Sequence, residues 1–266
     1  MKKLLLALAT LFFAGASWAQ ISSKGTEFFF AFPQIDLNPD SMVVFVASDV
    51  ATTFTVDNPR VVGSARSFSI GANSVRRVAM QVSNHYVTGS ESVQNLGTRV
   101  RANAPVYVYM LNLKQFRTSG TFVLPTAAIP YNTEYIIPSY TPTYRTNFSG
   151  TATYSQGQFT IIALDDNTPI EIIPRVRTAN GKTAGTPFNI TLNRGQVYQV
   201  QSHINDGSTA NPPNMNGDLS GSIVRVRNAC KRINVLSGAE SVILPAANCQ
   251  GREHLLAQIF PTNVWG

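Results

Sequence analysis

Residues 45–56 read FVASDVATTFTV, and residues 161–172 read IIALDDNTPIEI. Each stretch has two runs rich in β-branched and apolar residues, separated by a short turn of polar residues. This arrangement is typical of a strand, a turn and a second strand. The two stretches align without a gap at an offset of 116 residues, and Ala47 then meets Ala163. We therefore predict an all-β chain that contains the same strand–turn–strand unit twice.

Further matches follow the same order along the chain, and their offset grows steadily from 107 to 136 residues. A growing offset is expected if the second copy has longer loops, because loops accept insertions at small entropic cost. We predict two tandem, internally repeated β-sandwich-like units, residues 20–130 and 131–266. The matching positions are Thr26-Glu27-Phe28 with Thr133-Glu134-Tyr135, Ile70 with Leu192, Phe54 with Ile170, Val78 with Val200, Gly97-Thr98 with Gly221-Ser222, and Pro125-Thr126 with Pro261-Thr262.

Four segments have the pattern of β-hairpins, in which two strand-like runs flank a short turn. Residues 67–80 and 188–201 form the first matching pair, and their turns contain Gly, Asn or both. Residues 97–111 and 221–236 form the second matching pair, with turns at Ala102-Asn103-Ala104 and at Asn228-Ala229.

The amino terminus has the three parts of a secretion signal. Lys2 and Lys3 are followed by an apolar run over residues 4–14 and by Ser17-Trp18-Ala19, which places small residues at the positions that signal cleavage requires. The apolar run is shorter than the roughly 20 residues that a membrane-spanning helix needs. We predict that residues 1–19 are a signal peptide cut after Ala19, and that the mature chain is secreted or displayed at the cell surface.

The composition narrows the range of partners. Charged residues make up 13% of the chain, and without Lys2 and Lys3 there are 19 basic residues against 14 acidic ones, a net charge of +5. The basic residues occur singly or in pairs, which fits solvated strand faces or anionic partners such as glycans. No nucleic-acid-binding motif and no later membrane-spanning stretch is recognisable. We predict a partner at the cell surface, a protein or a glycan.

Cys230 and Cys249 are the two cysteines. In an exported chain, a disulfide that closes a loop of about 20 residues is the natural interpretation, with a stabilisation of about 3 kcal/mol. A zinc site would need more ligands than the neighbouring His254 offers, and a catalytic thiol would need a base.

One long loop region is rich in aromatic residues. Tyr140, Tyr144, Phe148 and Tyr154 lie within it, together with Arg145. Aromatic and arginine side chains are enriched in binding interfaces and in sugar-binding platforms. These five residues are the candidate ligand-binding residues, and packing over a sheet as a lid is the alternative.

The sequence contains no recognised catalytic or cofactor motif. The three histidines are not spaced as metal ligands or as general bases. Asp165-Asp166-Asn167 fits a turn between strands better than a calcium site. Glu27 and Glu134 occupy matching places and fit either a repeated structural role or a pair of glycosidase carboxylates. We expect no cofactor, no metal and no enzymatic activity.

Three groups of residues together resemble the IgGFc-binding protein amino-terminal domain family, a module abundant in exported bacterial proteins. They are Gly25-Thr26-Glu27-Phe28, the pattern DLSGS at 218–222 that leads into INVLSG at 233–238, and the ending at 253–266 with its Val264-Trp265-Gly266. The chain departs from the family pattern at Glu253, where Asp is frequent, and at Cys230-Lys231-Arg232. By its name, the resemblance implies an extracellular binding module for immunoglobulin Fc.

Taken together, these observations favour a non-enzymatic extracellular binding or adhesion module. The alternatives are a secreted carbohydrate-active enzyme and a structural spacer of a larger cell-surface protein. Because Pro261-Thr262 lies four residues before the last residue, the chain stops where a third opening strand is expected. We expect the second unit to be truncated there, as in a fragment of a longer surface protein.

Overall fold

The computed structural model describes residues 22–36, 38–141, 143–146, 152–204, 217–228, 230–243 and 252–265. These residues form eighteen β-strands, one four-residue helix and two 3-10 helices, and every pair of strands is antiparallel. The predicted all-β class is confirmed. The predicted signal peptide lies outside the described residues.

Two sheets form in the first half of the chain because the long strand β7 takes part in both. Its first part pairs with β1 and β3, and its last part pairs with β2 and β8. Sheet 1 has the order β1-β7-β3-β4, and sheet 2 has the order β5-β2-β7-β8. The bounds are β1 (Gly25–Phe30), β2 (Ser41–Ser48), β3 (Thr52–Asp57), β4 (Arg66–Ile70), β5 (Ser74–Ala79), α1 (Val82–His85), β6 (Val93–Gln94), β7 (Thr98–Lys114), β8 (Arg117–Val123) and a 3-10 helix (Thr126–Ala128).

The second half forms sheet 3, with the order β9-β16-β13-β14, and sheet 4, with the order β15-β12-β17-β18. Strand β6 of the first half extends sheet 4 beside β15, and β10 and β11 form a separate two-stranded ribbon. The bounds are β9 (Glu134–Ile136), β10 (Thr143–Thr146), β11 (Ala152–Ser155), β12 (Gly157–Ala163), β13 (Thr168–Ile173), β14 (Phe188–Leu192), β15 (Val197–Gln201), β16 (Ile223–Val226), β17 (Ile233–Val242), β18 (Glu253–Gln258) and a 3-10 helix (Thr262–Val264).

The strand orders of the two halves correspond. Sheet 3 has the same strand order as sheet 1, with β16 in the place of the first part of β7, and sheet 4 has the same order as sheet 2, with β17 in the place of its last part. The registers correspond as well, since Phe54 pairs with Phe68 and Ala102 while Ile170 holds the same central place in sheet 3. The unit boundaries and the superposition of the two units stay predictions.

None of the four predicted hairpins is a paired hairpin. Strand β4 lies in sheet 1 and β5 lies in sheet 2. In the second half, β14 lies in sheet 3 and β15 lies in sheet 4. Phe68 stacks on Phe54 with ring centroids 5.3 Å apart, which keeps β4 on β3, while Val78 of β5 pairs with Val44. Each of these two turns therefore connects the two layers of a sandwich.

The second pair of predicted hairpins also changes sheet. Residues 98–114 are one strand, with Asn103 in extended backbone and its Nδ2 donating to Thr53 Oγ1. Strands β16 and β17 likewise belong to different sheets. A short polar interruption in an apolar run can form a hairpin turn, or it can mark the point where the chain passes from one sheet to the other. Here tertiary packing favours the second arrangement.

The gapless match between residues 45–56 and 161–172 is off by one residue in its first strand. It places Phe45 over Ile161, yet Ile161 faces the second core while Phe45 lies half-buried on the opposite side of its strand from Val44. The turn after β2 has three residues and the turn after β12 has four. This extra residue flips every side chain of the strand relative to the predicted match.

Two hydrophobic cores form, one between sheets 1 and 2 and one between sheets 3 and 4. The first core also reaches the outer face of sheet 4, so that the two halves pack together. The residues of the second half that join the first core are Ile162, Leu164, Val197, Leu236 and Leu256.

Candidate binding surface

The structure brings part of the predicted aromatic site together. Tyr140 is half-buried and precedes the ribbon, Tyr144 and Arg145 belong to β10, and Tyr154 belongs to β11. Tyr144 and Tyr154 are direct partners in the register of the ribbon. Phe148 lies outside the described residues. Ligand binding at these positions stays a prediction.

The outer face of sheet 2 carries an aromatic and aliphatic surface that sequence reasoning missed. In β2 the residues Val44 and Val46 face the core, so the alternating residues between them face outward. Neighbouring strands add outward-facing aromatic residues at the same level. We call this surface the aromatic face and define it as Phe45, Val75, Arg77, Tyr107, Tyr109, Leu111 and Phe122.

The centre of the aromatic face is a row across three strands. Phe45 pairs with Tyr109, and Tyr109 pairs with Phe122. The rings of Tyr109 and Phe122 meet edge to face with centroids 5.2 Å apart, and Tyr107 contacts Phe122 in the same way at 6.3 Å. Tyr109 remains 51% exposed and Val75 64% exposed. Edge-to-face contacts of this kind contribute about 0.5–1.5 kcal/mol beyond the burial of their surface, so the rings stabilise one another across the face.

Basic groups lie at the edge of the aromatic face and beside it. Arg77 pairs with Phe45 across β5 and β2, and the Lys24 ammonium lies 5.1 Å from the centre of the Tyr107 ring. Lys24 also pairs with Asp49, and this hydrogen bond raises the pKa of the ammonium group. An aromatic centre with an arginine at its rim has the composition of a protein-binding surface.

The amino-acid sequences of β2 and β7 already indicate that both sides of these strands are apolar. The runs VVFVAS and VYVYML are apolar at both odd and even positions, which is typical of strands covered on both sides. The core covers one side, and in the described part of the chain the other side remains partly open.

Two of the three histidines are buried and uncharged. The Nδ1 atom of His85 lies 2.9 Å from Thr98 Oγ1, and that of His254 lies 2.9 Å from the carbonyl oxygen of Ala239. Burial lowers the pKa of each imidazole to about 4. Within the residues described above, no group of three or more His, Cys, Asp or Glu side chains is placed to hold a metal ion.

The two matching glutamates lie in different sheets and each has an arginine partner. Both carboxylate oxygens of Glu27 accept hydrogen bonds from Arg194 Nη2, at 2.7 and 2.8 Å. Glu134 pairs with Arg225 at 3.6 Å. The structure therefore gives each of them a structural ion pair.

Asp165-Asp166-Asn167 forms the turn between β12 and β13. Asp165 accepts hydrogen bonds from the backbone N–H and the guanidinium of Arg232, and Asp166 accepts one from the backbone N–H of Arg194. Asn167 has a φ of 50°, which Asn tolerates in tight turns. Both carboxylates thus already accept hydrogen bonds from residues that precede β17 and β15.

Cys230 is exposed, and Cys249 lies outside the described residues. The disulfide between them stays a prediction. Peptide mapping without reductant, after expression into an oxidising compartment, should recover the two cysteines in one linked peptide. Recovery of both as free thiols would contradict the pairing.

No helix in the described part of the chain has the length and apolar character to cross a lipid bilayer.

Comparison with known proteins identifies the family of this chain. No curated protein matches the chain. A solved structure of an "anti-sigma factor domain-containing protein" aligns with 89% of this chain and 82% of its own length, at 8% identity and a TM-score of 0.15. The profile of the family described as "IgGFc binding protein" matches residues 119–266, more than half of the sequence. The chain therefore belongs to the IgGFc binding protein family.

Proposed function

We propose that this chain is an exported, non-enzymatic binding module, secreted or held at the cell surface, which binds a protein partner through the aromatic face. The aromatic face is the observation that carries the proposal. Exposed apolar clusters with polar rims are typical of interaction sites. Family membership supports a binding role, and the predicted signal peptide supports export.

The composition of the face favours a protein as the partner. Tyr109 and Phe122 provide rigid apolar area, and Arg77 can donate several hydrogen bonds from one edge. Large aromatic residues and arginine account for most of the strongest contacts in protein interfaces. The family description makes immunoglobulin Fc the first partner to test.

The ion pairs formed by three carboxylates support a non-enzymatic role. Glu27, Glu134 and Asp165 all lie in ion pairs with arginine. A glycosidase needs two carboxyl groups on either side of one scissile bond, with one of them protonated near neutral pH. Glu27 and Glu134 lie in sheets 1 and 3, which does not favour such a pair.

Replacing Tyr109 with threonine should weaken binding of immobilised immunoglobulin Fc by at least about tenfold, because the ring is central and partly exposed. Threonine keeps a high strand propensity, so the sheet should persist. Surface plasmon resonance measures the change. Tyr131→Thr is the matched control, since Tyr131 is 52% exposed outside the aromatic face, and its affinity should stay within about twofold.

Equal affinities of the Tyr109→Thr variant and the wild-type chain would show that the face is not the binding site. Hydrolysis of a glycoside by the wild-type chain, lost in Glu27→Gln, would favour the carbohydrate-active enzyme. A chain that binds neither Fc nor any other surface protein would favour the structural spacer.

A further inference from the structure

A polar groove of about 560 Å³ crosses the outer face of sheet 1, away from the aromatic face on sheet 2. Hydroxyl, amide and charged side chains provide most of its lining. The polar and charged residues on its solvent face are Glu27, Thr53, Thr55, Ser67, Arg101 and Asn103.

One row of the groove is built from four neighbouring strands. Arg101 of β7 pairs with Glu27 on one side and with Thr55 on the other, and Thr55 pairs with Ser67. Side chains at these positions lie side by side on the solvent face of the sheet. The Arg101 side chain is therefore at the centre of the row.

The corresponding row in sheet 3 neutralises its central arginine. Arg225 pairs with Glu134 on one side and with Glu171 on the other. Its Nε donates to Glu171 Oε1 at 2.6 Å, and its Nη1 lies 3.6 Å from Glu134 Oε2. Two carboxylates thus flank this cation.

Sheet 1 lacks this neutralisation. Thr55 stands where sheet 3 has Glu171, and the carboxylate of Glu27 is held by Arg194 through both oxygens. Arg101 is exposed, and among the described residues no carboxylate lies within ion-pair distance of it. Its guanidinium remains available to an anion.

We propose that this groove is a second binding site, which takes glycans that carry carboxylate or sulfate groups and anchors the anionic group on Arg101. A guanidinium matches the planar pair of oxygens of such groups with two parallel hydrogen bonds. Asn103, whose Nδ2 donates to Thr53 Oγ1 at 2.7 Å, and Ser67 supply short polar groups for sugar hydroxyls. The net charge of +5 for residues 20–266 attracts anionic polymers.

A glycan fits the groove better than an acidic peptide does. The side chains that line the groove beside Arg101 are mostly short and polar, and Phe54 lies 3% exposed beneath them. Peptide recognition relies on pockets for apolar side chains or on a free strand edge. The groove lies on the face of the sheet and offers hydroxyl and amide groups.

The decisive variant is Thr55→Glu, which gives sheet 1 the residue that neutralises Arg225 in sheet 3. Isothermal titration should show that the wild-type chain binds a heparin hexasaccharide or a galacturonic acid hexamer, but not the neutral maltohexaose. Thr55→Glu should weaken the binding of the anionic sugars by at least about tenfold, as should Arg101→Gln, which removes the cation without adding charge. Arg175→Gln, at an exposed arginine that follows β13, is the control and should stay within about twofold.

The two anionic probes separate the possible sources of the anchor group, since the galacturonic acid hexamer has carboxylates alone and the heparin fragment also has sulfates. Binding of either probe with loss in both groove variants supports the proposal. Wild-type affinity in Arg101→Gln overturns it, as does an equal loss in Arg175→Gln or the absence of binding to both probes. Tighter binding of hexaglutamate than of either sugar would assign the groove to acidic peptides instead. None of these results depends on Fc binding at the aromatic face.

Discussion

Replacing Gly238 with alanine is expected to lower the free energy of unfolding by about 3 kcal/mol. Gly238 lies in β17 and pairs with Gln158 on one side and with Leu256 on the other. A Cβ atom at this position would overlap the carbonyl oxygen of Leu255, which is backbone and cannot rotate away. Either β18 must shift away from β17, or the backbone of both strands must distort.

Urea denaturation measures this loss as a lower midpoint with an unchanged slope. Gly71→Ala is the matched control, because a Cβ at Gly71 would meet Ser74 Oγ at 3.5 Å, an ordinary van der Waals distance. Its effect should stay within about 1 kcal/mol in either direction. A loss of less than about 1 kcal/mol for Gly238→Ala would show that β18 is not held closely against β17 in solution.

Local patterns were sufficient to predict several of the strands. The second apolar run of residues 161–172, predicted as a strand from its β-branched residues, lies in β13, whose central Ile170 is buried. The Asp165-Asp166-Asn167 turn was also predicted, since acidic and amide side chains satisfy turn backbone locally. The composition of such short segments is enough to predict a strand or a turn, although Asp165 and Asp166 also bind the distant residues Arg232 and Arg194.

Long-range pairing could not be read from the same patterns. A turn such as Gly71-Ala72-Asn73 serves a hairpin and a crossing between layers equally well, and the stacking of Phe68 on Phe54 decides between them. The one-residue difference in the turns after β2 and β12 is also invisible in a gapless match. A match made by residue type does not establish which face of the strand is buried.

The candidate sites also depend on long-range pairing, which local patterns do not reveal. The aromatic face depends on β2, β7 and β8 lying side by side, so Phe45, Tyr109 and Phe122 meet only after folding. The groove at Arg101 depends on the capture of Glu27 by Arg194, which is 167 positions away in the sequence. No local pattern in the sequence indicates that contact.

Glu240 is a buried acid whose ionisation should destabilise the fold. It lies in β17 and is 5% exposed, where sheet 4 meets the segment before β2. Its Oε1 accepts a hydrogen bond from Gln201 Nε2 at 2.7 Å, and its Oε2 accepts one from the backbone N–H of Gln156 at 3.2 Å. Burial, with a further contribution from Asp36, raises the pKa of the carboxyl to about 7 against these two hydrogen bonds.

A raised carboxyl pKa means that the folded state holds the proton more tightly than the unfolded chain does. The associated stability is fully present below the unfolded pKa of 4.5 and is lost as the pH rises through about 7. His85 and His254, whose pKa values are lowered to about 4, act in the opposite direction. Their contribution is present above pH 6.5 and is lost as the pH falls towards 4.

The variant Glu240→Gln isolates the acid, because glutamine stays neutral at every pH and the two histidines contribute equally to both proteins. Between pH 5 and pH 8.5 the stability of the variant relative to wild type should rise by about 2.5 kcal/mol. Glutamine accepts only one of the two hydrogen bonds. This loss changes the difference in unfolding free energy between the two proteins by the same amount at every pH, so it does not affect the predicted rise. Urea denaturation at both pH values measures the change, with Glu253→Gln, an exposed glutamate of β18, as the control. A difference that stays constant from pH 5 to pH 8.5 would mean that Glu240 ionises in the folded protein as easily as in water, and that water reaches the boundary between sheet 4 and the first half of the chain.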